Sequence, residues 1–157
     1  MKIFTNIFVS LFYVGYVKLL PGTFGSLVSL IILFPICEFE IISKQLFITF
    51  FIVIFILSLY FIKKFHSYTN THDSSKIVID EFLGIYLVLI FYDLIFIINS
   101  QVTIILIFIL FRFFDIIKIF PANIIDKNMR NSFGVILDDI IASIYTIIGL
   151  YLINAYN

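Results

Sequence analysis

Long apolar runs separated by short polar clusters make up most of the chain. Taken from their flanking turns, the runs predict five membrane-type helices over about 24–42, 45–62, 82–98, 102–120 and 136–153. Each is near the roughly 17 residues or more that a helix needs to cross a hydrocarbon layer. Pro21, Gly22 and Gly25 break the chain before the first run, where Thr23 or Ser26 is placed to cap the helix. Backbone N–H groups at such a helix start can face an anion, and a plain capped turn is the alternative. Asn99-Ser100-Gln101 reads as a tight turn and Pro121 as a stop. Residues 63–76 and 122–133 are the two most polar segments. Residues 1–19 carry an apolar pattern flecked with Thr5, Asn6, Ser10 and Gly15 and show no small-residue cleavage pattern. They predict an interfacial or partly inserted helix, with a short span as the alternative.

Composition supports this pattern. Hydrophobic residues form 62% of the 157 and charged residues 13%, and mean hydropathy is +1.18. That leaves too little polar surface for a water-soluble domain, so the expectation is an all-α, polytopic membrane bundle of four to five helices forming one domain. A formal net charge of +0 excludes a global basic footprint for nucleic acid. The single cysteine, Cys37, excludes an internal disulfide and a Cys-based metal site.

Alternation of the five helices puts residues 1–23, 63–81 and 119–135 on one side of the membrane. That side carries Lys2, Lys18, Lys63, Lys64, Lys76, Lys127 and Arg130, with Arg112 and Lys118 close by, whereas the opposite loops carry only Lys44. Positive charge is retained on the cytoplasmic side, which orients the chain. The unusual polar elements fall on that same side. Asp80-Glu81 and Asp138-Asp139 stand at helix starts, and Arg112, Asp115 and Lys118, spaced i, i+3, i+6, share one face at a helix end. Charges this close to lipid are kept where they face protein or water.

Carboxylates gathered in one place repel, and a hard divalent cation relieves the repulsion. Asp80, Glu81, Asp115, Asp138 and Asp139 are therefore the candidate catalytic and metal-ligating residues, with Mg²⁺ the expected ion. Arg112 and Lys118 are candidate holders of phosphate, Arg through its fork and Lys as a point charge. Thr23, at the Pro-Gly turn, joins them as a candidate phosphate contact. No Gly-rich phosphate loop of the nucleotide-binding type is present. The chemistry that fits is metal-assisted attack of water on a lipid phosphomonoester, with an aspartyl-phosphate route as the alternative. Asp73, Asp126 and His66 stay open between a supporting role and plain solvated positions.

Four segments together resemble the phosphatidylglycerophosphatase A family: Pro21-Gly22-Thr23-Phe24-Gly25-Ser26; Asp73 with Ile79-Asp80-Glu81 and Gly84; Phe111-Arg112 with Phe114-Asp115 and Lys118; and Gly134-Val135 with Asp138-Asp139. They come in the family's order over about residues 20–145. Lys118-Ile119 replaces a common Lys-Pro, and Asn131-Ser132 replaces a Gly-rich approach. The resemblance implies a bacterial inner-membrane enzyme that uses Mg²⁺ to hydrolyse phosphatidylglycerophosphate to phosphatidylglycerol and phosphate. Two rivals remain. A small transporter or channel subunit would place relay acids near the bilayer midplane rather than at helix ends. A lipid-synthesising phosphotransferase would carry an Asp-x-x-Asp-Gly signature, which this chain lacks.

Overall fold

A computed structural model describes residues 2–69 and 74–156; Asp73 lies outside them. Among the described residues the architecture is all helical. The helices are α1 (Lys2–Val9), α2 (Pro21–Glu38), α3 (Lys44–Thr69), α4 (Ile79–Ile90), α5 (Tyr92–Ile95), α6 (Ser100–Ile117), α7 (Ala122–Asn128) and α8 (Ser132–Ala155). Four of them, α2, α3, α6 and α8, are long and apolar enough to cross a membrane.

The predicted span over 82–98 is not a single helix. Helix α4 has 12 residues, about 18 Å at 1.5 Å per residue, well short of the roughly 30 Å hydrocarbon layer. The helix stops at Phe91, restarts as the four-residue α5, and leaves it through extended backbone at Phe96. An apolar run does not distinguish a lipid-facing span from a helix buried in protein, and α4 is the second kind. Eight of its twelve residues are buried, and it packs on α2, α3, α6 and α8. Irregular backbone at membrane depth is tolerated where protein satisfies its polar groups. Here Phe91 N–H donates to Val88 O at 3.1 Å, Leu94 N–H to Phe91 O at 2.9 Å, and Ile97 N–H to the Thr103 hydroxyl at 3.1 Å.

Other boundaries also shift. Helix α2 begins at Pro21 itself, so Thr23 and Ser26 lie inside it rather than capping it, and Leu20 enters with φ 52°. Proline suits a helix's first position because its missing N–H has no intrahelical partner there. The Ser26 hydroxyl donates back to Gly22 O at 2.8 Å. Helix α6 ends at Ile117, with Lys118 left-handed at φ 49°, so Lys118 leaves the face shared by Arg112 and Asp115. Helix α8 starts at Ser132, where the Asn131 side chain accepts from Phe133 and Gly134 N–H. Asp138 and Asp139 therefore lie beyond its first turn. Helix α1 is eight residues long, about 12 Å, so it does not span; it packs against α3.

The contact that sets the polar end is between α4 and α8. The Ser143 hydroxyl donates to Gly84 O at 2.8 Å. A Cβ on Gly84 would lie 2.6 Å from the ring of Phe111 and 3.1 Å from Ser143 Oγ. Small residues at a helix crossing allow this approach. The Phe111 ring is fully buried and has no room to retreat. Gly84→Val is expected to destabilise the protein by about 1–3 kcal/mol through overpacking, read as a lowered thermal unfolding midpoint in detergent. An unchanged midpoint would show that the crossing tolerates a side chain.

Candidate active site at the polar end of the bundle

The starts of α2, α4 and α8, the end of α6, and α7 surround one cavity of about 820 Å³. Six carboxylates and four cations line it: Asp80, Glu81, Asp115, Asp126, Asp138 and Asp139 against Arg112, Lys118, Lys127 and Arg130. The five acids singled out from sequence thus share one cavity with both predicted phosphate holders. Thr23 is not among the lining residues, whereas its neighbours Pro21 and Gly22 are. As a helical residue Thr23 is turned away from the face that Pro21 and Gly22 present. His66 does not line the cavity either.

The acids divide into two groups. Asp80, Glu81 and Asp139 each offer a carboxylate oxygen within 4.8 Å of the others. This convergence follows from the helix crossing. Gly84 is one turn beyond Asp80 and Ser143 one turn beyond Asp139, so the Gly84–Ser143 contact carries the acidic residues together. Ser143 Oγ also bonds Asp139 O at 2.7 Å. The two acidic pairs have matching local structure: Asp80 Oδ1 accepts from Glu81 N–H and Asp138 Oδ1 from Asp139 N–H, each at 3.2 Å. Asp80 and Glu81 stand in the first turn of α4, where the helix dipole favours negative charge. Among the described residues Glu81 Oε2 is buried with no hydrogen-bond partner, an arrangement that is costly for an acceptor.

Asp115 and Asp138 form the second group, each held in an ion pair. Arg112 Nη1 lies 2.5 Å from Asp115 Oδ2 and 3.9 Å from Glu81 Oε1, and it donates to Ser26 Oγ at 3.3 Å. The Arg112, Asp115 and Glu81 side chains are each at most 15% exposed, so removing one partner would strand a desolvated charge. Gly22 leaves room for the Glu81 carboxylate in its present position: a Cβ there would lie 2.2 Å from Glu81 Oε1 and would displace it. Arg112 Nε is buried and has no hydrogen-bond partner among the described residues.

Lys118 Nζ lies 2.5 Å from Asp126 Oδ1 and 2.8 Å from Asp138 Oδ2. Burial acts to lower the Lys118 pKa, but its bonds to Asp126 and Asp138 outweigh this and hold it well above the usual lysine range. The left-handed backbone at Lys118, unfavourable by about 1–2 kcal/mol for a residue with a Cβ, turns the side chain toward these two acids.

Sequence reasoning left Asp126 open and did not single out Gly22, Lys127 or Arg130 as site residues. Asp126 is eight residues from Lys118 with Pro121 between them, so no helical spacing connects the pair. The usable signal for Gly22 was only its place in a Pro-Gly turn, which reads equally as a helix start.

The family model described as phosphatidylglycerophosphatase A matches residues 7–154. The chain is 34% identical over 140 residues to the phosphatidylglycerophosphatase A of Haemophilus influenzae, covering 89% of this chain and 82% of that protein. It is 26% identical over 140 residues to the protein of the same name from Escherichia coli, covering 89% and 77%. No solved structure matches the chain. With nearly its whole length matched, the chain belongs to the phosphatidylglycerophosphatase A family.

Proposed function

We propose that this protein is a Mg²⁺-dependent lipid phosphatase, hydrolysing phosphatidylglycerophosphate to phosphatidylglycerol and phosphate at the cytoplasmic face of a bacterial inner membrane. Family membership supports the substrate. The observation that carries the chemistry is the convergence of Asp80, Glu81 and Asp139 within 4.8 Å. Three hard oxygen donors, one beside a buried carboxylate oxygen on Glu81 that has no partner among the described residues, suit a small divalent cation. Asp80, Glu81 and Asp139 would hold Mg²⁺, which would neutralise their mutual repulsion and polarise the phosphoryl group. Asp115 and Asp138, committed to cations in the structure, then serve as orienting partners for Arg112 and Lys118.

Phosphoryl transfer asks a protein mainly for positioning and for charge opposite the equatorial oxygens. Arg112 supplies a planar fork whose orientation is fixed by Asp115 and by the Ser26 hydroxyl. Lys118, kept protonated by Asp126 and Asp138, acts as a fixed positive charge and not as a proton donor. The bond between phosphorus and the glycerol oxygen breaks, water supplies the new oxygen, and the glycerol oxygen leaves with a proton derived from that water. The acids gather at one end of the bundle rather than at its middle, which favours surface chemistry over a transmembrane relay.

Asp139→Asn is expected to lower phosphate release from phosphatidylglycerophosphate by about hundredfold or more, the scale of losing transition-state charge stabilisation. Its membrane insertion and elution in detergent should match the parent. Chelation should abolish release and added Mg²⁺ restore it; activity that persists in chelator defeats the metal assignment.

Orientation is tested separately in a Cys37→Ser background. Asn128→Cys, beside the cavity, is expected to react with an impermeant thiol reagent only from the cytoplasmic side. Glu40→Cys, in the turn after α2, should react only from the opposite side. The reverse pattern refutes the orientation.

A further inference from the structure

Lys118 is paired with Asp126 and Asp138, and Arg112 with Asp115. The other two cations lining the cavity, Lys127 and Arg130, have no carboxylate within ion-pair distance among the described residues. Both are exposed, whereas Asp138 and Asp139 are buried. The cavity is therefore graded: Asp80, Glu81, Asp115, Asp138 and Asp139 are buried or half-buried, the exposed Asp126 is committed to Lys118, and uncommitted positive charge stands at the rim. The substrate named above carries two phosphates, a terminal monoester and, across one glycerol unit, the diester that joins the headgroup to the diacyl part.

Resting on that reading of the site, we propose that Lys127 and Arg130 bind the diester phosphate and so select a lipid headgroup with two phosphates. The monoester goes to the deep acidic wall and its cation, and the second anion meets the rim.

The segment carrying these cations is anchored to the helix that carries Asp138 and Asp139. Met129 N–H bonds Ile125 O at 2.8 Å. A Cβ on Gly134 would lie 1.9 Å from Met129 O, so the turn lies directly on the start of α8. Asn131 caps that helix through Gly134 N–H at 2.8 Å. A short, packed connection from Arg130 to Asp138 holds the rim at a set offset from the acids. A fixed offset of this kind suits a ligand whose two charged groups are joined by a short linker. The volume of about 820 Å³ leaves space for a whole headgroup rather than a single phosphate.

The test is initial-rate kinetics in detergent mixed micelles containing phosphatidylglycerophosphate and Mg²⁺ at low ionic strength, with inorganic phosphate as competitor. The double variant Lys127→Gln/Arg130→Gln is expected to raise KM by about tenfold, the scale of one charge-assisted hydrogen bond, with kcat held within about twofold. Inhibition by inorganic phosphate, which occupies only the monoester position, should keep its strength. The charge-conserving Lys127→Arg/Arg130→Lys should restore the parent KM. An unchanged KM, or a loss confined to kcat, overturns the proposal. Weakened inorganic-phosphate inhibition in parallel with KM also overturns it, by placing these cations at the monoester. Absence of phosphate release by the parent protein instead removes the reading of the site on which the proposal stands.

Discussion

The polar end of this molecule depends on how closely α4 approaches α8. Gly84 has no side chain, Ser143 has a short one, and the Ser143 hydroxyl bonds both Gly84 O and Asp139 O. With larger residues at this crossing the two helices would stand further apart, and Asp80, Glu81 and Asp139 would not converge. Van der Waals packing and a single shared hydroxyl thus bring like charges together, against their repulsion. The fold makes this possible by burying α4 on several sides, so that its position is set by α2, α3, α6 and α8 together and not by the acids.

Charge at the cavity is organised by pairing. Arg112 is shared among Asp115, Glu81 and Ser26, and Lys118 bridges an acid on α7 to an acid on α8. These links cross between elements, so they fix α6 relative to α7 and α8 while offsetting part of the negative charge. Six lining carboxylates against four cations still leave the depth of the cavity acidic, and burial makes that imbalance more costly than it would be in water. A further cation is the physical answer to such an excess, whether supplied by a proton or by a metal.

The opposite end solves a different problem. After α4 stops, the chain must reach the start of α6 through a connection in which buried Tyr92, Ile95 and Ile97 are interspersed with exposed residues. Glu38 secures this connection: the Tyr92 hydroxyl donates to its Oε2 at 2.5 Å and the Ser100 hydroxyl donates to its Oε1. One carboxylate at the end of α2 thereby ties down α5 and α6. Further out, the exposed Lys44–Asp93 pair at 2.7 Å joins α3 to α5, with the small net stabilisation of a surface ion pair.

Much of this was legible in the residues themselves. Hydropathy alone determined an all-helical, membrane-type chain, because twenty or so consecutive apolar residues have few other stable forms in lipid. Four of the five expected spans are helices of sufficient length, and the positions of Asp80-Glu81, Asp115 and Asp138-Asp139 near helix ends already placed the acids at one end. What hydropathy did not determine was the fate of residues 82–98, because burial against other helices and burial in lipid impose the same apolar composition. It also left the five acids equivalent. Distinguishing three converging carboxylates from two paired ones required Gly84 against Ser143, the left-handed turn at Lys118, and Asp126 arriving from a separate helix. Those are relations between residues distant in the chain, set by packing and charge pairing across elements, and only the tertiary structure contains them.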